Sequence, residues 1–281
     1  MARRSVLFAP GDQPDKLRKA PDSGADVVVF DLEDAVAPGE KARARETVND
    51  ALHELDPDCE LCVRVNPTGI AADDDLAVLD GSPRLDSVML PKVDDADDVE
   101  TLDRLLAEHD ADLPVLALVE SAAGVLHAEA IANTRATDAV LFGAEDFAAD
   151  VGATRTDAGT EVLYARQHVV AAASAAGIDA IDTLYTDYED TDGLREDTRR
   201  GIEMGYDGKM TIHPRQVAVV NDAFTPDEEE IVWAERVVDA RDEAADAGKA
   251  VFSVDGEMID APLIAQAERI LARADAAERR D

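Results

Sequence analysis

Eight short apolar runs, rich in Val, Ile and Leu, recur along this chain at residues 5–9, 26–32, 61–66, 87–91, 115–119, 138–142, 180–184 and 208–212. Their lengths suit strands buried on both faces, and segments of helical periodicity separate most of them, as at 41–55, 96–109, 125–132 and 161–176. Strand–helix alternation calls for a parallel sheet, and eight rounds of it call for a closed α/β architecture, the (β/α)8 TIM barrel. The competing open, doubly wound sheet lacks its signature. The first run is followed by Pro10-Gly11-Asp12 rather than a G-x-G-x-x-G turn, and no G-x-x-x-x-G-K-[ST] phosphate loop occurs. After Pro226 the pattern changes. A helix is expected over 227–247, capped by Thr225 or Asp227 and ended by Gly248. The segment VFSVDGEMIDAP and a last helix over 262–277 follow. The expectation is a catalytic barrel over 1–225 and a C-terminal helical tail or lid over 226–281, able to contact an adjacent subunit.

Charge narrows the partners. There are 63 acidic and 27 basic residues, for a formal net charge of −36. Such a field repels phosphate, so nucleic acid is not an expected partner. Disorder is the other reading of so much charge, and the recurring apolar runs argue against it. Six Lys against a majority of Arg, with 4% aromatics, is the profile of a halophilic protein, in which dissolved ions screen self-repulsion. No run of 18 apolar residues offers a membrane span, and the apolar stretch in MARRSVLFAPGD is too short for a signal-peptide core. A cytoplasmic enzyme is expected. Cys59 and Cys62 are spaced C-x-x-C, but a structural zinc site needs two more ligands, and Cys62 sits inside the strand pattern LCVRV. Both are read as packing residues.

In a barrel of this kind chemistry sits at the carboxyl ends of the strands. The second run ends in Asp31, Glu33 and Asp34, the third in Arg64 and Asn66, the fourth in Lys92 and the fifth in Glu120. The sixth leads into Gly143-Ala144-Glu145-Asp146, the seventh carries Asp182, and the eighth leads to His213. An acidic rim could arise by chance in so acidic a chain; two of its few cations placed directly on strand ends would not. Glu120 and Asp146 follow consecutive strands, and two carboxylates side by side suit Mg2+, which prefers oxygen ligands and keeps several waters. Helix caps or a salt bridge to Arg64 are the plainer readings of the same pair. His213 is read as a packed turn residue.

The segments RSVLFAPGDQPDKLRKA, DVVVFDLEDAVAPGEKARAR, CVRVNPTG, SVMLPKVD, ALVESAAGVLHAEAIA, LFGAEDFAADVGATR, GKMTIHPRQV and GEMIDAPLIAQAERIL run in order along nearly the whole chain. Together they resemble the citrate lyase β-subunit-like (CitE-like) family, within the HpcH/HpaI aldolase group that includes malyl-CoA lyases. The resemblance implies a (β/α)8 barrel with a helical tail, assembled as a homotrimer or hexamer. It implies Mg2+, or Mn2+ in its place, on Glu120 and Asp146, and a substrate-binding, catalytic arginine at Arg64. The tail aspartate Asp260 would be an acid/base reaching the site of an adjacent subunit. Part of a coenzyme A site would lie near Arg3, Arg4, Lys16, Arg18 and Lys19, a basic island in an acidic chain.

The implied reaction is Mg-dependent cleavage of a 3-hydroxyacyl-CoA, such as malyl-CoA or β-methylmalyl-CoA, to glyoxylate and acetyl-CoA or propionyl-CoA through a thioester enolate. Arg64 suits the enolate charge and Asp260 the carbon proton. Asp31, Glu33 and Asp34 either hold metal-bound waters or cap the strand–helix turn. Lys92 is expected to pair with one of these carboxylates rather than to form a Schiff base. The rivals are a citrate lyase β-subunit acting on citryl-acyl-carrier protein, a citramalyl-CoA lyase, a malyl-CoA thioesterase, a phosphoenolpyruvate-handling barrel, and a barrel subunit without chemistry. The last predicts damaged motif residues, whereas Arg64, Glu120, Asp146 and Asp260 are all intact.

Overall fold

The computed structural model describes residues 2–79, 81–246 and 251–278. Eight strands lie where the apolar runs predict them: β1 (Ser5–Pro10), β2 (Val27–Asp31), β3 (Glu60–Arg64), β4 (Ser87–Leu90), β5 (Val115–Val119), β6 (Thr137–Phe142), β7 (Asp179–Asp182) and β8 (Gly208–Thr211). All pair in parallel in sequence order, and β8 closes onto β1, with Ser5 opposite Lys209. The barrel is therefore a TIM barrel. Alternation along each strand divides its side chains into two layers. Val6, Val29, Cys62, Met89, Leu118 and Leu141 fill the barrel interior. Leu7, Val28, Phe30, Val63, Leu90 and Val140 face outward and pack beneath the helices. Each such side chain, fully buried, contributes about 1.5–3 kcal/mol.

The helices Lys41–Glu54, Ala96–Glu108 and Leu163–Ala176 follow the predicted periodicity closely. The helix expected over 125–132 is instead two short ones, Ala122–Leu126 and Ala128–Ala132, broken at His127. There the ring nitrogen Nδ1 lies 2.9 Å from the Asp94 carbonyl oxygen, a tertiary bond that periodicity does not reveal.

The foot of the barrel, at the amino ends of the strands, is closed by ions. Arg3 is buried against Glu60 at 2.8 Å, with Asp138 and Asp179 beside it, and Arg4 holds the buried Asp26 at 2.9 Å. Cys62 faces the interior and Cys59 the helix layer, and both are reduced and buried. Burial pushes the Cys62 thiol well up, so it is inert.

The chain divides into two compact units, one spanning Arg3–Asn221 and the other beginning at Asp222. In the second unit Asp227 caps the helix Glu228–Asp246. Its carboxylate accepts the Glu230 N–H at 2.8 Å, and Glu230 returns the favour to the Asp227 N–H at 3.0 Å. Gly248, expected to end this helix, lies outside the described residues. The segment before the last helix forms a hairpin, β9 (Phe252–Val254) and β10 (Glu257–Ile259), that no helical or long-strand pattern announces. Its turn is Asp255-Gly256, both at positive φ (53° and 86°), the geometry an Asp-Gly pair favours. The helix Ala261–Glu278 then packs on the first through Ala234, Val237, Ala267 and Ile270.

Candidate active site

The interior alternation that buries Val27 and Val29 brings Asp31 to the barrel mouth. In the same way Cys62 leads to Arg64, and Leu116 and Leu118 lead to Glu120. Register sets Asp31 directly opposite Arg64. The guanidinium grips the Asp31 carboxylate with two bonds, Nε at 2.8 Å and Nη2 at 2.5 Å. Its Nη1 lies 3.3 Å from Glu33, and its plane sits 5.0 Å over the Phe8 ring. Asp31 also accepts the N–H groups of Glu33 (2.8 Å) and Ala35 (3.1 Å). It thus caps the turn and aims Arg64 at the same time.

Lys92 stands at the end of β4 with φ 54°, a left-handed conformation that strains a non-glycine residue. That conformation aims its backbone N–H at Glu120 Oε1, 2.8 Å away. Its ammonium bonds Glu33 and lies 3.4 Å from Asp34. Burial alone would lower the Lys92 pKa, but the bond to Glu33 and the surrounding carboxylates raise it. A protonated, ion-paired amine is not a Schiff-base nucleophile.

Glu120 is buried, and Asp146 is exposed on the first turn of the helix Ala144–Asp150. Thr183 Oγ1 fixes the start of that helix by accepting the Ala144 N–H at 3.1 Å. Burial first, and then the neighbouring charge of Asp146, push the Glu120 carboxyl up to about 7. Gly143 leaves room for it: a Cβ there would meet Glu120 Cβ at 2.6 Å and Oε2 at 2.8 Å. A desolvated carboxylate with the charge of a second carboxylate acting on it is stabilised by a hard cation. The donor set therefore fits Mg2+. Among the described residues no group of three or more His, Cys, Asp and Glu converges, so an all-protein cage of the zinc type is not built here.

With this geometry in place, comparison with known proteins is decisive on family. Residues 4–214 match the HpcH/HpaI aldolase/citrate lyase family model. The chain belongs to this family. The mitochondrial citramalyl-CoA lyase of Rattus norvegicus is 38% identical over 96% of this chain and 85% of its own length. The citrate lyase subunit beta of Leuconostoc mesenteroides subsp. cremoris is 39% identical over 98% and 94%. The crystal structure of CitE from Mycobacterium tuberculosis, in complex with magnesium, acetoacetate and coenzyme A, superposes with a TM-score of 0.82. It is 36% identical and covers 98% of both chains.

Within this HpcH/HpaI family member the remaining candidates fall in different places. Lys16 and Arg18 lie on the exposed face of the helix Pro14–Lys19, with Arg18 paired to Glu54 at 2.9 Å. Arg3 and Arg4 are not part of that surface. They precede β1, which puts them at the foot of the barrel, where their charge is spent on buried carboxylates. Asp182 likewise does not face the mouth. Ile181 points inward, so Asp182 points outward, into a buried network with Arg166 (2.5 Å) and Lys209 (3.2 Å). His213 stacks on Tyr188 at 4.7 Å, and its Nδ1 accepts the Arg215 N–H, as a turn residue would. Asp260 lies in the second unit, exposed, at the start of the helix Ala261–Glu278. Residues that the strand-end reading passes over are Phe8 and Lys41. Lys41 had one available signal, as a rare lysine eight residues beyond Glu33.

Proposed function

We propose that this protein is a magnesium-dependent lyase that reversibly breaks a carbon–carbon bond in a short 3-hydroxyacyl-CoA. The carrying observation is Arg64 locked by Asp31 and Glu33 beside the Glu120–Asp146 carboxylate pair at the barrel mouth. The relatives named as lyases, and the magnesium and coenzyme A held by CitE from Mycobacterium tuberculosis, support it. Within that class we assign malyl-CoA or β-methylmalyl-CoA as substrate, with glyoxylate and acetyl-CoA or propionyl-CoA as products. Citramalyl-CoA, giving pyruvate and acetyl-CoA, is the second reading, favoured by the name of the rat relative.

Glu120 and Asp146 hold the Mg2+, which when bound supplies Lewis-acid polarisation of the substrate hydroxyl oxygen that becomes the carbonyl. Arg64 meets the negative charge that builds on the thioester enolate as the bond breaks. Its donors need no reorganisation, because Asp31 already fixes the guanidinium plane. Lys92 supplies the N–H that orients the Glu120 carboxylate and neutralises Glu33. Asp260, from an adjacent subunit of a homotrimer or hexamer, protonates the enolate carbon in cleavage and removes that proton in condensation. Lys16 offers its charge to the coenzyme A phosphates; Arg18 does the same on leaving Glu54.

The test is a condensation assay in molar KCl, the medium its acidic composition suits. Glyoxylate or pyruvate is offered with acetyl-CoA or propionyl-CoA, with and without Mg2+, and products are identified by mass. Metal-dependent malyl- or methylmalyl-CoA supports the assignment, citramalyl-CoA alone moves it to the second reading, and no product from any pair refutes both.

A further inference from the structure

Beneath the turn that carries Glu33 lies a buried polar web that the proposed reaction does not use. Lys41 is the first residue of the helix Lys41–Glu54. Its ammonium donates to the carbonyls of Leu32 and Glu33, each at 2.6 Å, and to Asn66 Oδ1 at 2.9 Å. Three protons meet three acceptors, so the ammonium is saturated. Asn66 follows β3. Its side-chain Nδ2 donates to Leu32 O at 3.1 Å and to Asp75 Oδ2 at 2.7 Å, and its backbone N–H reaches the same Asp75 oxygen at 2.6 Å. The other Asp75 oxygen accepts Arg45 Nε at 2.6 Å. Asp75 is fully buried and Asn66 nearly so.

The web ties the end of β2 to the end of β3 through the carbonyls of Leu32 and Glu33. The Glu33 carboxylate, in turn, bonds Lys92 and faces Arg64 Nη1. We propose that Lys41 is a positioning residue: through the Leu32 and Glu33 carbonyls, and braced by Asn66 and Asp75, it sets the Glu33 carboxylate that aligns Arg64 and Lys92. Lys41 touches neither substrate nor cation. It acts by holding backbone oxygens that would otherwise turn toward water, and a half-buried ammonium in contact with two carbonyls does this with charge-assisted bonds. The inference rests on the lyase reading for its kinetic arm and on the geometry alone for its exchange arm.

The experiment uses the full chain carrying Lys41→Met, with Arg43→Met as control. Arg43 lies on the same helix, and its side chain forms an exposed pair with Glu40. Hydrogen–deuterium exchange of residues 31–36 reads the turn without substrate. Lys41→Met is expected to speed exchange there, where the Glu33 and Ala35 N–H groups are held by Asp31, and to leave the strand amides of the barrel unchanged. In the condensation assay kcat is expected to fall about 10–100-fold with KM little changed. Lys41→Cys treated with 2-bromoethylamine, whose bromide the thiolate displaces, restores an ammonium at nearly the same reach and is expected to recover most of kcat. Cys59 and Cys62 are buried and spared. Wild-type exchange at 31–36 in Lys41→Met overturns the proposal, as does faster exchange throughout the barrel, which would make Lys41 a general stabiliser. Absent lyase activity in the unmutated chain refutes the functional reading instead, and leaves the exchange result to decide Lys41.

Discussion

A methyl group at position 143 should disable the proposed cation site while sparing the barrel. Gly143 has φ −93°, open to any residue, so Gly143→Ala brings no backbone strain of its own. Its bond from N–H to the Val119 carbonyl, 2.9 Å, can persist. The new Cβ would stand 2.6 Å from Glu120 Cβ and 2.8 Å from its Oε2. Carbon atoms prefer about 3.5–4.0 Å, so one of them must give by about an ångström. Glu120 Cβ is anchored to the backbone and cannot swing aside, so the whole side chain is displaced from the Lys92 N–H. Relieving such an overlap costs about 1–3 kcal/mol of stability. Ligand misplacement by an ångström is expected to weaken Mg2+ binding, or lyase kcat, about 100-fold. Calorimetric titration of Mg2+ into the metal-free variant and the unmutated chain measures this, with Gly39→Ala, where a Cβ meets nothing, as control. Undiminished Mg2+ affinity in Gly143→Ala would refute the reasoning, because the overlap leaves Glu120 no place to remain a ligand.

Other consequences follow from the same geometry. The Glu120 carboxyl is raised from its ordinary value to about 7, so below pH 7 the cation must displace a proton. Apparent Mg2+ affinity should then fall about tenfold per pH unit below 7 and level off above it, as titrations between pH 5.5 and 8.5 would show. Without the cation the sign reverses: protonating Glu120 removes an unfavourable buried charge, so its contribution favours the fold as pH drops through 7. Arg64→Lys keeps the charge but loses the two-bond grip on Asp31, and kcat should fall about 100–1000-fold, measured in the condensation assay at saturating Mg2+. Asp182→Ala leaves the buried Arg166 and Lys209 sharing the one carboxylate of Asp197, and should lower unfolding free energy by about 3–5 kcal/mol in urea titrations while leaving Mg2+ affinity intact.

What could be read from sequence follows a physical divide between local and distant constraint. Strand runs, their order and the closure they require are local patterns repeated eight times, and they locate the barrel and its mouth. Parity along a strand is also local, and it carries Asp31, Arg64 and Glu120 inward. The same rule, applied to β7, turns Asp182 outward, so a strand-end position without its parity misleads. Arg3 and Arg4 stand beside Lys16 in sequence but before rather than after β1, and that puts them at the opposite end of the barrel. The web of Lys41, Asn66 and Asp75 joins residues 25 and 9 positions apart, and Lys92 reaches Glu33 across 59. Such contacts exist only once strands are in register, so no periodicity reports them. The hairpin at Asp255-Gly256 is the reverse case: a local turn signal was present, and its two three-residue strands are too short to stand out as apolar runs.

The most direct test is cleavage of a purified 3-hydroxyacyl-CoA, malyl-CoA first, by the full chain with Mg2+, after chelation, and in Glu120→Gln. If the site works as described, the unmutated chain with Mg2+ releases glyoxylate and intact acetyl-CoA in equal amounts, and both chelation and Glu120→Gln stop it. Release of free coenzyme A and malate would mean that the thioester bond breaks instead of the carbon–carbon bond, and cleavage that survives chelation and Glu120→Gln would remove the carboxylate pair from the chemistry.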